Sequence, residues 1–345
     1  MTHKATLAVR TGIETDTQHG AVVPPIYLSS NYTFADFGEP RQYDYARSGN
    51  PTRTNLADAL AALEGGAGAV VTGTGMGAVH LVTTALLKAG DLLIAPHDCY
   101  GGTWRLFEYL AAKGHYQVQF VDQGDEVALA AALAQKPALV WVETPSNPLL
   151  RVVDIAAIAE ASHGVGAQVV VDNTFLSPLL QQPLALGADV VVHSTTKYIN
   201  GHSDVVGGVA IAKDQALADS LVWWANCLGL TSGAFDSYLT LRGLRTLAPR
   251  LRTHQENTDR ILAFLQQQPL VKRIYHPSLP SHPGHDIARR QQSGFGAMLS
   301  FELDCNETGL RAFLAGLRLF SVAESLGGVE SLVAHPASMT HRAMT

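Results

Sequence analysis

Cysteine is scarce in this sequence of 345 residues: Cys99, Cys227 and Cys305 are far apart and odd in number. They make neither a disulfide framework nor a C-x-x-C metal knuckle. Charge is sparse too. Only 16% of residues are charged, and a formal net charge of -6 without long runs argues against a nucleic-acid partner. No apolar stretch is long enough to cross a bilayer, so no membrane association is expected. The opening "MTHKATLAVRTGIETDTQHG" lacks the apolar core of a secretory signal, which makes the expectation a cytoplasmic protein. Histidine is plentiful, at 14, but no pair has H-x-x-x-H or H-E-x-x-H spacing. These histidines read as surface and core residues, and no metal is expected.

What the sequence does have is apolar residues, 47% of the chain, at a length beyond a single core. Runs from Ala67 to Gly73, Asp91 to Pro96, Tyr116 to Val121, Ala138 to Glu143, Ala167 to Asp172 and Ala188 to His193 read as strands. Between them lie amphipathic stretches such as "MGAVHLVTTALLKAG", "WRLFEYLAAKG" and "DIAAIAEASHGVG". Continuous apolar strands alternating with helices predict an α/β domain whose mostly parallel sheet is covered on both faces. Its ligands should sit beyond the carboxyl ends of the strands. Residues 1–55, rich in Pro, Asn, Tyr and Gly toward their end, read as an extended arm without helical period, of the kind that packs on a partner subunit. Residues 56–250 form the α/β domain, and 251–345 read as a smaller α+β domain.

Several unusual residues fall at one edge of this sheet. Asp172 ends "AQVVVD", Ser194, Thr196 and Lys197 follow "ADVVVH", and glycines 73, 75 and 77 follow "AVV". An acid and a lysine at neighbouring strand ends are what pyridoxal phosphate requires. The amine forms a Schiff base with the aldehyde, and the carboxylate keeps the pyridine nitrogen protonated so that the ring accepts electrons. Glycines opening a helix bring backbone N–H groups and the positive helix end to a phosphate. Each signal has a plainer explanation, since Lys197 can be a solvated loop residue and Asp172 a turn cap. "TGTGMGA" also approaches a dinucleotide loop, but its glycines do not make G-x-G-x-x-G, and Asp91 precedes the next strand instead of following it.

The segments "YARSGNPTR", "GTGMGAVH", "APHDCYGGTWRLF", "ETPSNPLLRVVDI", "VVDNTFLSP", "HSTTKYINGHSDVVGG" and "AESLGGVESLVAHPASMTH" occur in order along the chain. Together they resemble the cystathionine γ-synthase branch of the pyridoxal-phosphate enzymes of cysteine and methionine metabolism. The resemblance implies the aspartate-aminotransferase-like fold type I and a homotetramer built from tight dimers. It implies that Lys197 holds the cofactor and moves protons, that Asp172 pairs with the pyridinium, and that Tyr100 stacks on the ring and takes part in proton transfer. The phosphate is implied to be held by Gly75, Met76, Ser194 and Thr196, with Tyr45 and Arg47 from the neighbouring subunit. Arg105, Asn147 and Glu324 are implied on the substrate side. The reaction implied is γ-replacement of the acyl group of O-succinyl-L-homoserine by L-cysteine, giving L-cystathionine and succinate.

Two departures from the family pattern leave alternatives open. Ser48 stands where close synthases often carry a second arginine, which weakens the grip on a dicarboxylate-like substrate and keeps a γ-lyase or an O-acyl-homoserine sulfhydrylase in view. Methionine γ-lyase is disfavoured, because Gly102 stands where that branch places a cysteine. The chain stops at "THRAMT", before the family's arginine clamp for the α-carboxylate. The expectation is either an incomplete sequence or a form that binds amino acids poorly, a catalytically weak subunit at the extreme.

Overall fold

The protein is described by a computed structural model over residues 2–340. Seven strands make one sheet: β1 (Gly68–Thr72), β2 (Leu92–Pro96), β3 (Gln117–Val121), β4 (Leu139–Glu143), β5 (Gln168–Asp172), β6 (Val190–Ser194) and β7 (Gly208–Ala212). Their spatial order is β1-β7-β6-β5-β4-β2-β3. Strands β3, β2, β4, β5 and β6 run parallel, and β7 lies antiparallel to both β6 and β1. Six strands coincide with the runs read from sequence. The seventh, "GVAIA", is not among them, because three of its five residues are Gly or Ala, which strands disfavour.

The helices start where local chemistry dictates. After α1 (Lys4–Arg10), α2 (Pro51–Glu64) opens with Pro51 at its first position, and the N–H of Arg53 donates to Asn50 Oδ1 at 3.1 Å. These two helices correct the reading of residues 1–55 as lacking helix: the Asn-Pro cap lay inside a turn-rich stretch that obscured it. Thr74 caps α3 (Gly75–Leu86) by accepting the Gly77 N–H at 2.8 Å. Next come α4 (Gly101–Ala112), α5 (Glu126–Leu133) and α6 (Ile155–Gly164), the last two capped by Asp125 and Asp154. Short α7 (Ser177–Leu180) precedes β6, and α8 (Gln215–Leu228), α9 (Ala234–Leu244) and α10 (Leu247–Leu265) follow β7.

The sheet is covered on both faces. Val70, Leu93, Trp141 and Val192 pack under α3, α4 and α8 through Leu81, Phe107 and Leu221. Opposite, Val142, Val171 and Val191 pack against Leu129 and Ile158 of α5 and α6, while Val71, Val209 and Ile211 meet α2, α9 and α10. At about 1.5–3 kcal/mol for each large apolar side chain buried, these layers hold the strand ends in register. Beyond α10 come β8 (Val271–Tyr275), α11 (His285–Gln291), β9 (Ser300–Leu303) and α12 (Glu307–Ala315), with β8 and β9 antiparallel. The parallel pair β10 (Ser321–Val322) and β11 (Leu332–Val333) brackets a loop that returns to the main sheet. No helix among the described residues is long and apolar enough to cross a membrane.

Candidate active site

The carboxyl ends of β4, β5 and β6 bring together Glu143, Asp172 and Ser194, and Lys197 sits in the turn immediately after β6. Two glycines let the start of α3 close on this edge. A Cβ on Gly75 would fall 3.0 Å from Ser194 Cβ, and one on Gly208 only 2.3 Å from the Thr74 carbonyl oxygen. The first N–H groups of α3, which have no partner inside the helix, therefore open beside the Ser194 hydroxyl. The Thr196 hydroxyl is tied to Gly207, accepting its N–H at 3.0 Å and donating to its carbonyl at 3.2 Å. Ser194 Oγ has no protein partner among the described residues. A helix N-terminus of this kind attracts a dianionic group.

Lys197 is half-buried, and its Nζ donates to Ser325 Oγ at 2.9 Å. Burial lowers the pKa of its amine from the usual value, opposed by the nearby Glu324 carboxylate. Ser325 adopts a positive φ of 103°, a conformation that costs energy for a residue with a side chain. It is held there because the loop presses on the Lys197 turn: a Cβ on Gly327 would fall 2.5 Å from the Tyr198 amide nitrogen. Asp172 is desolvated, which raises its pKa, while the Thr174 side chain and backbone and the nearby His193 act in the opposite sense. The Thr174 N–H donates to Asp172 Oδ1 at 3.0 Å.

Tyr100 stands at the start of α4 with its side chain exposed, and its N–H donates to Glu143 Oε2 at 2.8 Å. Gly102 makes room for the Tyr100 ring, since a Cβ there would meet Tyr100 Cε1 at 2.5 Å and Met76 Sδ at 3.1 Å. Arg105 is exposed on the same helix. Asn147 lies in the turn after β4 beside Ser146, whose hydroxyl donates to Asp98 Oδ2 at 2.6 Å. Tyr45 and Arg47 are exposed and engage other parts of the chain. Arg47 donates to the Asn226 carbonyl at the end of α8 at 2.7 Å and lies 5.8 Å over the Tyr45 ring. None of their hydrogen bonds reaches Lys197, Asp172, Ser194 or Thr196.

Two features escape a reading by motif. Ser325 meets Lys197 across 128 positions, and no local pattern announces such a contact. Behind the sheet edge, His193 Nε2 and Glu64 Oε1 lie 2.7 Å apart with both side chains sealed from solvent, and Asn173 Nδ2 donates to the same oxygen at 3.0 Å. A buried carboxylate needs such partners.

The site suits pyridoxal phosphate on its own chemistry: an amine biased toward neutrality, a donor-held carboxylate on the next strand, and an anion cradle that any side chain at Gly75 would crowd. Residues 5–345 match the sequence pattern of the Cys/Met metabolism PLP-dependent enzymes. The chain belongs to that family. Its cofactor is pyridoxal 5'-phosphate, and its fold is the type I fold of these enzymes. Similarity extends over the whole chain. It is 67% identical over 345 residues to cystathionine gamma-synthase of Escherichia coli (strain K12), covering 100% of this chain and 89% of that relative. Cystathionine beta-lyase of Lactococcus lactis subsp. lactis is 45% identical over 341 residues, 99% of this chain and 89% of the relative. The crystal structure of cystathionine gamma synthase from Xanthomonas oryzae pv. oryzae in complex with cystathionine superposes with a TM-score of 0.99 at 63% identity, covering 100% of this chain and 89% of that one.

Proposed function

We propose that this chain catalyses γ-replacement: the thiol of L-cysteine displaces the acyl group of O-succinyl-L-homoserine, giving L-cystathionine and succinate. The C–O bond at Cγ breaks, the S–Cγ bond forms, and the thiol proton balances the acid released. The observation that carries this reading is the 67% identity to a cystathionine gamma-synthase across the full chain. The bound cystathionine of the Xanthomonas relative supports it.

When bound, pyridoxal phosphate would take up the electron pairs of the Cα–H and Cβ–H bonds, while the Cγ–O pair leaves with the succinate carboxylate. Lys197 Nζ, kept toward neutrality by burial and steadied by Ser325, is the base that takes a proton from Cα and returns it. Tyr100 stacks on the pyridine ring and lends its phenol to proton transfer. Asp172 keeps a negative charge for the pyridine nitrogen. The N–H groups of Gly75 and Met76 and the hydroxyls of Ser194 and Thr196 grip the phosphate, completed across a subunit contact by Tyr45 and Arg47. Glu324 lies beside the incoming amino acid, Arg105 takes its distal carboxylate, and Asn147 orients cofactor and substrate. The same reading divides the chain into an arm (1–55), a cofactor domain (56–250) and a C-terminal domain (251–345). It describes a cytoplasmic homotetramer built as a dimer of dimers.

The test is the purified protein with O-succinyl-L-homoserine, with and without cysteine. Cystathionine and succinate formed in equal amounts is the expected result. Succinate, 2-oxobutyrate and ammonia formed from the ester with no cystathionine, even when cysteine is present, would overturn it. Replacing the ester by O-acetyl-L-homoserine tests the succinyl preference.

A further inference from the structure

Glu143 closes β4, Asp172 closes β5, and the parallel ladder makes them register partners. Their side chains leave the same face of the sheet about 5 Å apart. Glu143 is 8% exposed. The carboxylate of Asp98 also acts on it, and the Cys99 thiol beside them is pushed well up, first by burial and then by Glu143, Asp98 and Asp172. No lysine or arginine among the described residues forms an ion pair with Glu143 or Asp172. Two desolvated carboxyls so close cannot both ionise, and the surroundings decide which one keeps the charge. Asp172 has the Thr174 N–H at 3.0 Å, the Thr174 hydroxyl and the nearby His193, all favouring its carboxylate. Among the described residues Glu143 has one donor, the Tyr100 N–H at 2.8 Å, and burial pushes its pKa well up.

We propose that Glu143 carries a proton in the holoenzyme and, as a neutral acceptor, positions Tyr100 through its backbone N–H, leaving Asp172 as the one carboxylate that serves the pyridine nitrogen. This rests on the roles given above to Asp172 and Tyr100. Tyr100 makes no side-chain cap to α4. Its backbone is tied to the sheet by Glu143, so the place of the ring over the cofactor depends on that bond. Glu143 is a positioning residue in this scheme, and its neutrality keeps a second negative charge from competing with Asp172.

Three holoenzyme variants test it: Glu143→Gln, Glu143→Ala and Asp172→Asn. Nitrogen-15 NMR of labelled cofactor reports the pyridine nitrogen, visible circular dichroism reports the asymmetry imposed by Tyr100, and infrared spectra report a protonated carboxyl. The expected wild-type spectrum contains a buried protonated-carboxyl band that both Glu143 variants lose. Glu143→Gln, an uncharged acceptor of similar shape, should keep the pyridine nitrogen protonated, keep the visible dichroism, and hold the cofactor within about threefold of wild type. Glu143→Ala should lose the dichroism and weaken cofactor binding about tenfold, the scale of one buried hydrogen bond. A wild-type protein without the band, or a Glu143→Gln variant whose pyridine nitrogen loses its proton, would show Glu143 to be an anion and overturn the proposal. An unchanged dichroism in Glu143→Ala would overturn the positioning role. Asp172→Asn separates the layers: if its pyridine nitrogen stays protonated, the assignment of Asp172 fails, while the infrared band still decides the proton on Glu143.

Discussion

Lys197, Asp172 and Ser194 stand at or just behind the ends of β5 and β6, where buried valines and two backbone ladders fix them. Tyr45, Arg47, Arg105 and Glu324 are all exposed, on the arm, on a helix and on a loop bracketed by two-residue strands. On the roles proposed above, the groups around the reactive amine stand on the core of one chain, while those that complete the phosphate grip and meet the substrate stand on exposed segments that the core does not hold. A sheet edge packed on both faces carries the groups proposed for the cofactor chemistry, and exposed segments are where differences in substrate choice are expected to lie.

The sharpest way to break this comparison is at its most fixed point. Lys197→Ala should abolish turnover and remove the borohydride-reducible linkage to the cofactor, because among the described residues no other lysine stands beside Asp172 and Ser194 at this sheet edge. A reducible linkage surviving in the variant would place the cofactor on another lysine. At the other end, Arg47→Ala should weaken cofactor binding about ten- to a hundredfold, the loss of a charge-assisted pair. Among the described residues of its own chain, the Arg47 side chain reaches the Asn226 carbonyl and the Tyr45 ring, away from Lys197. Mixing it with Lys197→Ala should therefore restore activity, since a hybrid dimer regains one intact site. Parents that exchange subunits with no gain over the residual activity of Arg47→Ala would dissolve the distinction between the two ends.

The cradle gives a smaller and more local effect. Gly208→Ala sets a methyl group 2.3 Å from the Thr74 carbonyl oxygen, a backbone atom that cannot swing away. Overpacking of this kind costs about 1–3 kcal/mol, read as a lower denaturation midpoint, and tilts the start of α3 away from Ser194, read as weaker phosphate binding. An alanine at Gly90, where nothing lies within 4 Å, is the control for glycine replacement as such, although its φ of +91° adds backbone strain. Equal cofactor affinity in both variants would show that close packing of α3 on β6 and β7 is not what shapes the cradle.

How far the sequence showed all this follows the same division. Five of the six strands were legible as apolar runs and β3 by the alternation of "QVQFV", and Asp172 and Lys197 were marked by falling at or just beyond the ends of such runs. The family resemblance then gave them roles that their positions had left open. β7 was hidden because three of the five residues of "GVAIA" are Gly or Ala, which strands disfavour, and α2 because its Asn50-Pro51 start lies among other turn-forming residues. Glu143 was visible as a strand terminus, but its meaning depends on Asp172 being its register partner, and pairing between strands is a long-range fact. Ser325 and Gly327 reach the Lys197 turn from the far end of the chain, through contacts that no spacing encodes.

Glu324 offers the finest test, because it touches the boundary between the two ends. It is exposed, yet its charge acts on the Lys197 amine, raising a pKa that burial lowers. Glu324→Gln removes that charge and leaves burial unopposed, so the pKa of the amine in the cofactor-free protein should fall further and more of it should be neutral at a given pH. Only the neutral amine joins the cofactor aldehyde. The variant should therefore recapture pyridoxal phosphate faster at neutral pH, and the pH profile of recapture should move toward acid. An exposed pair is worth about 0.2–1 kcal/mol, so the gain should be about 1.4- to fivefold, and it should shrink in high salt, which screens an exposed charge. A profile displaced toward base, or a gain indifferent to salt, would mean that Glu324 acts on Lys197 through the loop that carries Ser325, and that the two ends of the site are mechanically joined.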